Sequence, residues 1–139
     1  MTGRDQSGSV TLWVVLSVPA LFAGVGLVVD GGAAMAAKGR AISVAYQAAR
    51  AGAEQLDLPT YATTGAVVLA PATARAAAQA YLASAGVRPT AINVDGDQVS
   101  VAVEVSSPNR LLDLFGMNTI TVSAQGSATA TYGIRSAGG

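Results

Sequence analysis

The carboxylates are the residues best placed to do chemistry in this chain. It has 139 residues with neither histidine nor cysteine. That excludes disulfides, thiolate sites, haem-type ligation, the usual Cys/His zinc sites, and Ser-His or Cys-His catalysis. The acids available to the part of the chain beyond the apolar run and its continuation are Glu54, Asp57, Asp95, Asp97, Glu104 and Asp113. Asp95 and Asp97 flank Gly96, which admits an oxygen-ligand calcium site. No third acid lies nearby in sequence, however, and Asp-Gly is what a tight hairpin turn requires, so ordinary turn chemistry is the favoured reading. Glu104 sits among valines at alternate positions, on the face a strand leaves to solvent. The one glycine pair resembling a phosphate loop, Gly24-Val25-Gly26, lies inside an apolar run. No catalytic residue, metal site, cofactor or small-molecule substrate is therefore assigned. Eight Lys+Arg balance eight Asp+Glu, so the excess of cations that nucleic acid demands is missing.

The elements that carry these acids begin with an uncharged stretch from Gln6 to Val29. Within it Val10 to Val29 is almost wholly apolar, broken by Thr11, Ser17 and Pro19. Twenty helical residues at ~1.5 Å each cover about 30 Å, the thickness of a bilayer's hydrocarbon core. Trp13 lies near one end, where an amphipathic ring suits the headgroup layer. Ser and Thr can bond back to the helix's own carbonyls, and Pro19 should kink it. Three readings compete: a retained anchor, a signal peptide cleaved at the A-x-A-like site Ala34-Met35-Ala36, and a buried core helix. The retained anchor is favoured, because the run exceeds an ordinary signal core and the rest of the chain is too small to surround it.

Asp30 is the only charge between Asp5 and Lys38. It either marks where the helix leaves hydrocarbon or pairs with a cation on a neighbouring subunit. From Gly31 to Ala53 Ala and Gly predominate, and a helix should continue to about Leu56 despite Gly31-Gly32. Small residues let helix backbones approach closely. Ala20, Gly24, Ala41, Ala45, Ala49 and Gly52 form the expected packing face. Its partner is left open between other subunits and the protein's own head.

The head follows. Asp57-Leu58-Pro59-Thr60 ends the helix, and a loop is expected to about Ala70. Pro71 and Gly86 bracket a helix of about 14 residues. The period then changes to two. Ile92 and Val94, then Val99, Val101, Val103 and Val105, fall on one face of a hairpin turning at Asp95–Gln98. Arg110 to Phe115 reads as a short helix whose Leu111, Leu112 and Phe115 would cover the sheet. Thr119 to Tyr132 alternates again, with a bulge or break expected at Gln125-Gly126. The fold class is α+β: a transmembrane helix extending into a long helix, with one or two short helices on an antiparallel sheet of three to four strands. The divisions are a tail at 1–8, the span at 9–30, its continuation at 31–56, the head at 57–134 and a tail at 135–139.

This order of parts resembles the TadE/TadG-like proteins of Flp (tight adherence) pilus assembly. Gly8-Ser9-Val10-Thr11, the run with Pro19 and the closing Asp30 resemble the family's opening module. Arg40-Ala41-Ile42 followed by Ala48-Ala49-Arg50-Ala51-Gly52-Ala53 resembles its next segment. Leu114-Phe115-Gly116, Ile120 to Ala124 and Ala128-Thr129-Ala130 resemble its close. In pilin-like precursors that are cut after a glycine, the fifth mature residue is usually glutamate. Gly8 would be that glycine, but the fifth residue after it is Trp13, which tilts the likeness toward the TadG-like branch with Asp30 as its recurring acid.

The resemblance implies a pilin-like, single-pass protein of the bacterial cytoplasmic membrane with its head outside. Such a protein would be a non-enzymatic accessory or minor-pilin-like subunit. Its partners would be the bilayer, other Tad or pilin-like subunits and further copies of itself, and it would either enter the filament or stay in the membrane. Counting Lys38 and Arg40 alone would put the head in the cytoplasm. The family's orientation is preferred, because both cations lie on a helix already clear of the headgroups. The alternative is a secreted α+β module released near Ala36.

Overall fold

A computed structural model describes residues 7–116 and 119–131. In chain order the elements are α1 (Ser7–Ala53), α2 (Leu58–Thr64), α3 (Pro71–Ser84), β1 (Pro89–Asp95), β2 (Gln98–Pro108), a 3-10 turn (Leu112–Phe115) and β3 (Thr119–Thr129). The class is α+β, with one three-stranded antiparallel sheet in the order β1-β2-β3. The chain divides into two compact units. One joins Met1–Met35 to Ser107–Ile120; the other joins Ala36–Ser106 to Thr121–Gly139.

In the first unit α1 runs unbroken through Pro19. The Ser17 hydroxyl donates to the Trp13 carbonyl at 2.6 Å, so this polar side chain is satisfied within its own helix. The segment after β2 closes into the 3-10 turn. Leu114 N–H donates to the Leu111 carbonyl, Gly116 N–H donates to the Asp113 carbonyl, and Gly116 adopts φ 83°. Leu111, expected over the sheet, lies against Gly26 of α1. The side chains of Leu112 and Phe115 fall outside the described residues.

In the second unit the rest of α1 packs on the sheet with its small side chains inward. Ala41, Ala45, Ala48 and Ala49 are buried, whereas Ile42 and Tyr46 are about half exposed. The cause is backbone proximity. A Cβ on Gly126 would meet the backbone of α1, at 2.5 Å from the Ala45 carbonyl carbon and 2.6 Å from the Tyr46 Cα. A Cβ on Gly52 would stand 2.9 Å from the Ala74 carbonyl oxygen and 3.2 Å from Val99. Strand and helix can touch this closely only where neither carries a side chain between them. At Gln125-Gly126, where a bulge or break is expected, the strand is not broken. β3 continues through both residues, and the glycine serves close approach instead.

α1 ends at Ala53, three residues short of the expected Leu56. Leu56 instead forms an isolated bridge with Leu69. The last turn tightens, with Gln55 N–H donating to the Gly52 carbonyl. The loop expected over 57–70 contains α2. Asp57 caps it, accepting from Thr60 N–H at 3.1 Å and from the Thr60 hydroxyl at 2.8 Å. Gly65, at φ 71°, stops it. α3 spans the 14 residues expected, buries Ala74, Ala78 and Leu82, and packs on β1. The hairpin register pairs Ile92 with Val101, Val94 with Val99 and Asp95 with Gln98, so the apolar residues share a face. The expected end of the last strand at Tyr132 and the tail at 135–139 lie outside the described residues.

A candidate membrane-anchor and assembly segment

The apolar run shows its side chains to the outside almost everywhere. Val10, Leu12, Trp13, Leu16, Leu21, Phe22, Val28 and Val29 are all exposed, Trp13 by 73%. Pro19 is exposed as well. The helix is long and apolar enough to cross a membrane, and only 6% of its most apolar window is buried. This sets aside the reading of a core helix, which would be mostly covered. A soluble monomer rarely leaves so large an apolar surface uncovered. The run therefore points to membrane anchoring.

Its far end is chemically different. Asp30 is 2% exposed. One carboxylate oxygen accepts the backbone N–H of Arg110 at 3.1 Å, and the other accepts that of Leu111 at 3.0 Å. These two N–H groups lead into the 3-10 turn, where the first donors of a helical segment lack partners of their own. Asp30 caps that turn from across the fold. A buried carboxylate is costly unless it is hydrogen-bonded, and charge-assisted bonds of this kind are the strong ones. The pairing bridges about 80 positions, so nothing local in the sequence announces it. Gly26, one turn earlier on α1, is also buried; a Cβ there would stand 3.3 Å from the Leu111 Cβ.

The small-residue face divides. Ala20 and Gly24 are exposed beside Ser17, Leu21 and Val25. Ala41, Ala45, Ala49 and Gly52 are buried by the protein's own sheet and α3. Gly8 lies in the first turn of α1 and is exposed, and a Cβ there would meet nothing within 4 Å among the described residues. Lys38 and Arg40 are exposed. Arg50 and Glu54 form an exposed pair at 3.8 Å, of a kind that adds little stability.

The remaining acids do not converge. Asp95 and Asp97 are exposed in the hairpin turn, and among the described residues no three potential metal ligands cluster. The turn has a packing duty instead: the Asp97 carbonyl accepts from Ala130 N–H at 2.7 Å, and the Gly96 carbonyl accepts from Leu69 N–H at 3.0 Å.

No curated protein and no solved structure matches the chain significantly. A family model does, and it covers the apolar run, Asp30 and the small-residue continuation of α1. Residues 8–55 are similar to the family described as "Putative Flp pilus-assembly TadE/G-like", and this likeness supports a role in pilus assembly.

Proposed function

We propose that the protein is a membrane-anchored accessory subunit, minor-pilin-like, of a Flp/Tad pilus assembly apparatus. The observation that carries the reading is an exposed apolar helix of bilayer length lying within the segment that matches the pilus-assembly family. The run from Val10 to Val29 crosses the cytoplasmic membrane once, and the sheet with α2 and α3 is displayed on the outer side. Partner subunits pack on the part of the small-residue face that the protein leaves uncovered, at Ala20 and Gly24. In lipid such residues favour association because they let backbones approach. The role is structural, and the protein acts by holding partners together.

The test is fractionation of the native protein with an intact-mass measurement. A full-length mass in the membrane fraction, resistant to alkaline extraction, supports the anchor. Loss of about 36 residues with the remainder soluble would favour the released module instead, since processing would then fall at Ala34-Met35-Ala36. Co-purification of other pilus-assembly subunits with the full-length chain, weakened by Gly24→Leu, would support the assembly role.

A further inference from the structure

The turn following β2 is held against the apolar end of α1, and this has a consequence for how the protein meets lipid. Asp30 fixes the backbone at Arg110 and Leu111. Leu111 reaches Gly26, four residues or ~6 Å further into the apolar run than Asp30. If α1 crosses the bilayer as proposed above, this turn is carried to the level where the helix enters hydrocarbon.

We propose that the turn Arg110–Leu114 is a second membrane contact, seated in the interfacial layer of the bilayer, with Leu114 toward the acyl chains and Arg110 toward lipid phosphates. Three observations carry this beyond the anchor itself. Leu114 is 82% exposed, the most exposed large apolar side chain among the described residues outside or inside the span. Its turn is tied to the apolar run of α1 through Leu111, which lies against Gly26. The backbone is also prepared for a poorly hydrated setting. The N–H groups of Arg110 and Leu111 are taken by Asp30, and those of Leu114 and Gly116 by turn carbonyls. Lipid-exposed irregular backbone does not occur within the hydrocarbon region, so these partly satisfied groups suit the interfacial layer and not the bilayer core. Arg110 and Asp113, both exposed, limit the depth. A charge is expensive in hydrocarbon but not at the headgroups, where a cation also gains from anionic lipid.

Because the chain has no cysteine, one introduced thiol carries one spin label. The full-length chain in phosphatidylcholine–phosphatidylglycerol vesicles would be labelled separately at Leu114→Cys, Leu21→Cys and Gln79→Cys. Collision rates with dissolved oxygen and with a water-soluble nickel complex would then be compared. The oxygen-to-nickel ratio at Leu114→Cys should exceed that at Gln79→Cys at least about threefold and stay below that at Leu21→Cys. Asp113→Cys, on the same turn, should give an intermediate ratio and guards against a local disturbance at position 114. A ratio at both turn sites equal to Gln79→Cys, with Leu21→Cys still high, overturns this inference and leaves the anchor standing. Low collision with both reagents also overturns it, because a protein surface such as a second copy would then cover the turn. A water-like ratio at Leu21→Cys removes the anchor itself, and the inference with it.

Discussion

At the scale of single residues, two side-chain choices do most to shape this molecule. Asp30 presents two oxygens to two backbone N–H groups. Asn at the same place keeps the shape but turns an NH2 toward one of those donors and removes the charge. Leaving a buried donor unmet costs roughly 1–3 kcal/mol. Asp30→Asn should therefore free the Arg110–Leu111 backbone, raising amide hydrogen exchange at Leu111 by about tenfold or more. The melting of the sheet unit should hardly change. If exchange at Leu111 stays as slow in the variant, the cap is not what holds the turn. Gly126 is the second choice. A methyl group there would overlap the backbone of α1 at Ala45 and Tyr46, where no flexible side chain can yield. Gly126→Ala should destabilise by about 2 kcal/mol or more, seen as a lower midpoint in thermal or urea unfolding. An unchanged midpoint would mean that the strand and helix are further apart than described.

Among the elements, α1 changes its task along its length. Up to about Val29 its apolar side chains face outward; from Ala41 its small ones face the sheet. This distinguishes two enlargements that look alike in the sequence. Ala45→Leu puts three extra carbons into a helix–sheet contact with no room, and overpacking of that kind costs typically 1–3 kcal/mol. It should lower the stability of the head whether or not any partner is present. Ala20→Leu lies on an exposed helix face and should leave head stability within about 0.5 kcal/mol while weakening subunit association. Detergent-solubilised protein can report both, through thermal melting and through cross-linking of copies or partners. Equal loss of stability in the two variants would contradict this division.

Much of this layout can be read from residue order, and the reasons for the exceptions are physical. α3 is legible because Pro71 and Gly86 punctuate it, and the hairpin because Asp95-Gly96 interrupts a period-two pattern. α2 is carried by Asp57, Pro59 and Gly65 acting as caps, around a Thr-containing interior that is a weak helix signal. The inward turn of alanines rather than Ile42 and Tyr46 depends on how closely Gly126 approaches, which is a tertiary fact. The Asp30 cap is the least legible feature, since its partners are main-chain N–H groups far along the sequence and any residue type except proline could supply them.

For the whole molecule, the decisive quantity is the free energy of keeping the first part of α1 in lipid. A run of twenty residues, apolar but for Thr11, Ser17 and Pro19, supplies a favourable insertion term, and a single Lys at the centre of such a helix costs about 2.5–3.5 kcal/mol on insertion scales. Leu16 and Leu21 lie near the middle of the run and are exposed, so replacing them should not disturb packing within the protein. Leu16→Lys with Leu21→Lys should shift the chain from the alkali-resistant membrane pellet to the soluble or aggregated fraction. Its head should keep the same thermal midpoint, because Ala41 to Ala53 and the sheet form a unit of their own. Leu16→Ala with Leu21→Ala removes similar bulk without charge and should stay in the pellet. If the double lysine variant remained as firmly membrane-bound as the double alanine one, attachment would depend on the turn at Leu114 or on partner subunits rather than on the helix. A fall in the head's midpoint caused by the lysines would show instead that the apolar run is covered by protein in the native state.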